Sequence, residues 1–552
     1  MAIALAPLAA FLALGATHAS LWLDEIVYWF YERNPELRGI EARRPGSHIA
    51  QYFFNYTYCG IQRVVHAIVR PLGLTLQRDP ELFLRLLGIL SFVGTVIVVY
   101  IIAFRQSRDW AASTAVAFLT GASPMLLFYA FEARVWSFAT FGVAIFLALL
   151  ASALTHPSPR ALRIAGALLG IILGHLYVYA ACLFGGLCVA AVIQFAIVWG
   201  ARASRPQRSG VSPGRDEWPP SGTLDGCGRD VRAPRELATI AAFALPGIIT
   251  SMAETAYIQL TYPPGPGFPL FAARPISELL PVTLSLFASS GLSNPPVFFR
   301  LLSVFVLGVM LAVTLYTLKR SPYLVMPVAA LLALASTLVI GATAGYMMVP
   351  RYQVPLFGAL LVSFAFAFTK PARLCVLALA AIELFAFPGA LRDTFIKANG
   401  RPIAKVIATA PRDGTAVVVQ HALRHGYPDP LHSFVLAFYL DERQPTLPPV
   451  PICELPSLRD VAKAEVVLPY FDGGPELRKA FAATPAAEWD RQLRAAPWQR
   501  IWLVTPVPHT DDEEKQSQAF RDALQRNGFR LARAQVMQGY PASQLGLFVR
   551  TQ

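Results

Sequence analysis

Apolar runs close to 20 residues long recur along the first 390 positions, each long enough to cross a hydrocarbon core of roughly 30 Å. They fall near residues 2–20, 82–104, 110–128, 135–154, 161–178, 180–199, 237–255, 298–318, 323–345, 352–369 and 372–390, and predict about eleven transmembrane helices. Beyond residue 390 the pattern changes. Strand-like runs (Ala416–Gln420, Glu465–Pro469, Ile501–Thr505, Leu545–Arg550) alternate with a helix-like stretch, Asp511–Arg526, that ends at Asn527-Gly528. The expected fold is a polytopic α-helical membrane protein, with residues 1–390 in the membrane unit and residues 391–552 forming an extracytoplasmic α/β domain.

Composition sharpens the membrane reading. Hydrophobic residues make up 55% of the chain and charged residues only 15%, against about a quarter charged in globular proteins. The net charge of +13 does not point to nucleic acid, because many arginines sit in short loops between apolar runs and no basic helix with interleaved aromatics stands out. A cytoplasmic N-terminus makes every inside loop basic: Arg105 and Arg108, Arg160 and Arg163, the stretch from Arg202 to Arg235, Lys319 and Arg320, and Lys370 and Arg373. That orientation puts residues 21–81 outside as a first loop, with His48–Val69 patterned as a helix lying in the interface. Residues 201–236, rich in Gly, Pro, Ser and Arg, read as a disordered cytoplasmic loop. The first apolar run has no basic residue before Arg33 and reads as a retained span. The six cysteines show no CxxC or zinc spacing.

The membrane centres read as nearly free of charge, with ionisable residues gathered at the outer rim. Asp24 and Glu25 follow the first span directly. Carboxylates there are either solvated helix-end charges or, beside Trp22, a partly desolvated general base. Glu132 and Arg134 occupy a turn so short that both lie at or below the headgroups, where charges tend to be functional; the alternative is an ion pair anchoring the hairpin. Arg351 and Tyr352 open the tenth span on the same face, the arginine placed to grip a phosphate or to snorkel. His175 also reaches the outer end, where a lone histidine is either structural or functional.

At these residues the chain resembles the GT-C superfamily of membrane glycosyltransferases, in particular the protein mannosyltransferase, aminoarabinose transferase and RgtA/B/C/D-like group. The likeness rests on Leu23-Asp24-Glu25, Leu84-Arg85-Leu86-Leu87-Gly88, Tyr129 through Arg134, His175-Leu176-Tyr177, and Arg351-Tyr352 with Pro355, in order along residues 1–390. It implies a polyprenyl-phosphate-linked sugar donor and inverting transfer to a hydroxyl of a lipid, glycan or protein acceptor, at the outer face of a bacterial cytoplasmic membrane. Asp24 would be the general base and Glu132 the second acid. Arg134, Arg351 and Arg85 would neutralise the carrier phosphate, while Glu25, His175 and Tyr352 would line the cavity. No residues are assigned to a metal, and the resemblance is compatible with metal-independent or divalent-metal-assisted transfer. Phe131 and Trp136 replace the usual Gln and Tyr beside the Glu-Ala-Arg core, which leaves sugar and acceptor open. Two competing readings share the spans. One is a transporter or flippase for a lipid-linked saccharide, which calls for mid-membrane charges and repeat symmetry. The other is an O-antigen polymerase or ligase, which calls for a large outer loop between late spans.

Overall fold

The computed structural model describes residues 1–16, 25, 49–75, 78–156, 159–177, 179–203, 232–261, 275–284, 297–319, 321–343, 350–367, 370–396, 400–420, 422–424, 427–429, 435–442, 450–455, 458–460, 486–507, 511–537 and 542–551. In the membrane part the helices are α1 (Ala2–Ala13), α2 (Ile49–Val69), α3 (Pro80–Ser107), α4 (Trp110–Ala122), α5 (Pro124–Ala130), α6 (Val135–Thr155) and α7 (Arg160–Leu176). They continue with α8 (Ala180–Ala203), α9 (Arg232–Thr261), α10 (Ile276–Leu284), α11 (Val297–Leu318), α12 (Val325–Thr343), α13 (Val354–Phe364) and α14 (Lys370–Ile396).

Each of the eleven predicted apolar runs is at least partly helical, but six described helices are long and apolar enough to cross a membrane, or seven if a bent pair counts as one. Three others, Ala2–Ala13, Ala180–Ala196 and Val354–Phe364, are apolar but shorter. The bent pair is α4 and α5, which meet at 61°. Pro124 cannot donate a backbone hydrogen bond, so the run breaks there, and the Ser123 hydroxyl caps the new helix by accepting from the Leu126 amide at 3.4 Å. Large apolar side chains such as Leu168, Ile249, Phe305, Leu374 and Phe385 stay exposed on the bundle's flanks, as a lipid-facing surface requires. The chain is a multi-pass membrane protein.

Small residues set the closest helix contacts. Gly166, Gly170 and Gly174 form a stripe on α7, one per turn. A Cβ on Gly170 would lie 2.7 Å from the Phe243 carbonyl oxygen, and one on Gly174 would lie 2.5 Å from that of Gly247, both on α9. Backbones approach this closely only where side chains are missing.

The membrane interior departs from the expectation that it is nearly uncharged. Glu383, at the midpoint of the 27-residue α14, is fully buried. Neither carboxyl oxygen has a hydrogen-bond partner among the described residues. One turn further along α14, the Phe387 ring meets Phe11 at 4.8 Å.

The C-terminal part holds α15 (Gly400–Ile407), α16 (Ala486–Ala495) and α17 (Asp511–Arg526), with strands β1 (Thr415–Val419), β2 (Ala422–Arg424), β3 (Tyr427–Asp429), β4 (Ile452–Glu454), β5 (Arg459–Asp460), β6 (Arg500–Pro506), β7 (Phe529–Met537) and β8 (Ser543–Arg550). Six strands form a sheet in the order β5-β4-β1-β6-β8-β7, while β2 and β3 make a separate pair. Strand β1 runs parallel to β4 and β6, and β8 is antiparallel to β6 and β7. The predicted run Glu465–Pro469 lies outside the described residues, as does most of the 201–236 loop.

Successive strand side chains point to opposite faces, and both faces of β1 are covered, which explains its unbroken Thr-Ala-Val-Val-Val sequence. Val418, Ile501, Leu503 and Phe548 pack under α16 and α17 with Trp489 and Phe520. Val417, Val419, Trp502 and Val504 pack with Ile403, Ile407, Leu436 and Tyr439. That second cluster also contains Leu84 of α3 and Ala133 of the membrane part.

Candidate functional site

The motif Leu84-Arg85-Leu86-Leu87-Gly88 lies near the start of α3. Residues three apart on a helix share a face, so Arg85 and Gly88 project together. Arg85 is fully buried. Its Nε donates to Glu25 Oε1 at 2.8 Å and a terminal nitrogen donates to Oε2 at 3.0 Å. A further donation reaches the Ala16 carbonyl at 3.4 Å. Glu25, itself fully buried, also accepts from the Ala133 amide at 3.0 Å. A carboxylate can be sealed from water only when its lone pairs are filled like this.

Gly88 explains how Ala133 comes within reach. A Cβ on Gly88 would lie 2.8 Å from the Ala130 carbonyl oxygen and 3.0 Å from that of Glu132. The missing side chain lets the turn between α5 and α6 sit directly on α3. Glu132, nearly buried in that turn, and Arg134, whose extended backbone caps α6, are thereby held beside the Glu25–Arg85 pair.

The same turn leads into an aromatic cluster. Trp136 meets Tyr352 edge-on at 5.1 Å and Tyr177 at 6.3 Å. Tyr179 lies 5.7 Å from Tyr177 and 5.5 Å from Tyr352. The Tyr177 hydroxyl donates to the Tyr352 carbonyl, tying the end of α7 to the segment that opens α13. Two residues before Tyr177, His175 Nδ1 is hydrogen-bonded to Glu254 Oε1 of α9. The glycine stripe of α7 brings these two side chains together, and each keeps about a quarter of its surface exposed (27% and 25%).

The structure therefore joins Glu25, Arg85, Glu132 and Arg134 in one group, and connects His175 and Tyr352 through Trp136 and Tyr177. All lie at the end of the bundle opposite the Asp109–Arg373 ion pair. Asp24 lies outside the described residues. Arg351 is in the short Pro350–Gln353 turn beside Tyr352, and its side chain is outside the described set. No group of three or more His, Cys, Asp or Glu side chains suited to a metal occurs among the described residues.

Sequence reading missed Tyr179, Glu254 and Glu81. Tyr179 carried a signal, since it follows the His175-Leu176-Tyr177 motif by two residues. Glu254 and Glu81 carried none, because each lies at the edge of a predicted apolar run, where an acid is usually solvated.

No protein-family model matches the chain, and neither does any curated protein. Two crystal structures of ArnT from Cupriavidus metallidurans are similar to it. The apo structure aligns with a TM-score of 0.47 and 13% identity, covering 92% of this chain and 88% of that one. The structure bound to undecaprenyl phosphate aligns with a TM-score of 0.45 and 13% identity, covering 98% of this chain and 97% of the other.

Proposed function

We propose that the chain is a glycosyltransferase that moves a sugar from a polyprenyl-phosphate carrier to an acceptor hydroxyl at the outer face of the cytoplasmic membrane. The observation that carries this reading is the joining of acids, arginines and aromatic rings at one end of an apolar bundle. An anionic lipid headgroup needs cationic donors at the membrane boundary, and a sugar needs flat apolar faces with polar edges. The site offers both side by side.

In this mechanism Asp24 takes the proton of the acceptor hydroxyl as its oxygen attacks the anomeric carbon. The carbon–oxygen bond to the carrier breaks, and the departing phosphate keeps the electron pair. Attack from the face opposite the leaving group inverts the configuration. Arg134 and Arg351 neutralise the leaving phosphate. Arg85 serves differently from the role its motif suggests: its guanidinium holds Glu25, so it stabilises the site's frame. Glu132 orients the acceptor or Arg134, and Tyr352 and His175 line the cavity.

The test is transfer of labelled sugar from polyprenyl-phosphate donors by purified protein, with Asp24→Asn in parallel. Transfer by the wild type and a loss of roughly 100-fold or more in the variant are expected. Equal activity of the two would remove Asp24 from the mechanism, and absence of transfer from every donor would remove the reading.

One observation favours a second reading. Buried Glu383 is the kind of mid-membrane acid that a proton-coupled transporter of a lipid-linked saccharide would use. Replacing it should leave sugar transfer intact if the enzyme reading holds, and abolish translocation in vesicles if the transporter reading holds.

A further inference from the structure

The C-terminal part touches the site through a buried polar contact that none of the motifs includes. Glu81 opens α3 one turn before Arg85, and residues four apart share a helix face. Its carboxylate is nearly inaccessible, at 2% side-chain exposure. It accepts from the Tyr439 hydroxyl at 3.1 Å and pairs with Arg401 at 3.3 Å. Both partners lie more than 300 positions away in the chain, on α15 and on the short helical segment Phe438–Glu442.

An apolar contact runs alongside the polar one. Leu84 and Ala133 are buried in the same cluster as Ile403, Val435, Leu436 and Tyr439. Ala133 is therefore gripped twice: its amide donates to Glu25, and its methyl group packs in the cluster that contains Tyr439. The fit is tight on the C-terminal side too, since a Cβ on Gly400 would lie 2.0 Å from Val435 Cγ1. Carboxylate and guanidinium alternate from Arg401 to Glu81 to Arg85 to Glu25, and the series ends on the turn that carries Glu132 and Arg134.

We propose that Tyr439 and Arg401 are positioning residues of the transfer site, so that the C-terminal part sets the geometry of the Glu132–Arg134 turn through Glu81 and Ala133. The proposal rests on the glycosyltransferase reading for its kinetic consequence, but its structural consequence stands independently. Each hydrogen bond in a buried polar network helps to hold the geometry of its neighbours. Removing the Tyr439 hydroxyl leaves Glu81 short of a donor at the point where α3 meets the turn.

Hydrogen–deuterium exchange on the full-length protein, combined with transfer kinetics, tests this. Tyr439→Phe keeps the ring packed and removes one hydrogen bond; Glu81→Gln and Arg401→Lys are the companion variants. Tyr439→Phe and Glu81→Gln are expected to speed exchange of the Ala133 amide and its neighbours in residues 130–134. They should lower kcat roughly 2- to 30-fold with KM for the donor unchanged, while Arg401→Lys, which keeps the charge, recovers most of the wild-type values. A contact that merely fastens the two parts together would speed exchange in residues 400–407 and 435–442 and leave the turn alone, and that result overturns the proposal. So does faster exchange in the turn with kcat unaltered. If the wild-type protein transfers no sugar, the glycosyltransferase reading fails, and the exchange experiment still decides whether the C-terminal part holds the turn.

Discussion

Glu25 and Glu383 are both carboxyls with no exposure, yet they are opposite solutions to the cost of burial. Glu25 receives two hydrogen bonds from Arg85 and one from the Ala133 amide. Glu383 receives none at either oxygen from the described residues. Burying a polar group without a partner is costly, and Glu383 bears that cost where Glu25 does not. The forked guanidinium and the backbone amide offset it for Glu25. Burial alone does not tell what an intramembrane acid costs; its partners do.

The largest expected effect breaks the Glu25 side of the comparison. Arg85→Met leaves Glu25 sealed with no counter-charge and should cost about 3–5 kcal/mol, seen as a large drop in melting temperature in detergent. The double variant Glu25→Gln with Arg85→Met should recover a substantial part of that loss, because it removes the uncompensated charge. Wild-type stability in the single variant would mean that the pair is not sealed as described.

Gly88 tests the third hydrogen bond on Glu25. Gly88→Val places a branched side chain where the Ala130 and Glu132 carbonyls lie, and neither backbone atom can rotate away. Overpacking of this kind costs about 1–3 kcal/mol, and displacement of the turn should impair sugar transfer more than stability. Gly60→Ala is the control. A Cβ there meets nothing within 4 Å, so that helix should be unchanged or firmer by up to about 1 kcal/mol. Equal behaviour of the two variants would show that the turn does not depend on Gly88.

These contrasts also explain what the sequence could reveal. Helical segments were legible because an apolar run near 20 residues has few other uses. Helix α17 was legible to the residue, since Asn527-Gly528 ends it with Gly528 at φ +80°, a backbone region that favours glycine. The site was legible as residue types at one rim. Its pairing was not, because Arg85 lies 60 positions from Glu25 and local sequence cannot choose between a phosphate and a carboxylate for a guanidinium. Tyr439 and Arg401 were hidden for the same reason, at far greater separation. Glu383 stands in plain view within an apolar run, but averaging hydropathy over a span dilutes a single acid.

On the Glu383 side, Glu383→Leu should be neutral or stabilising by about 1–3 kcal/mol, because it replaces an unsatisfied polar group with an apolar side chain of similar length. A melting temperature at or above wild type is the expected reading. A marked loss would mean that the carboxyl has a partner in the working protein, and would bring α14 into the function.

The smallest effect is the most discriminating. Glu383→Gln is nearly isosteric and keeps a polar group in place, so stability should move by less than about 0.5 kcal/mol, as for substitutions that leave packing undisturbed. A melting temperature indistinguishable from wild type is the expected reading. If the variant is instead markedly less stable than wild type, the carboxyl makes a specific contact in the working protein. Glu383 would then be a working group, as a transporter's acid is, and the contrast with Glu25 would become one of function rather than of partners.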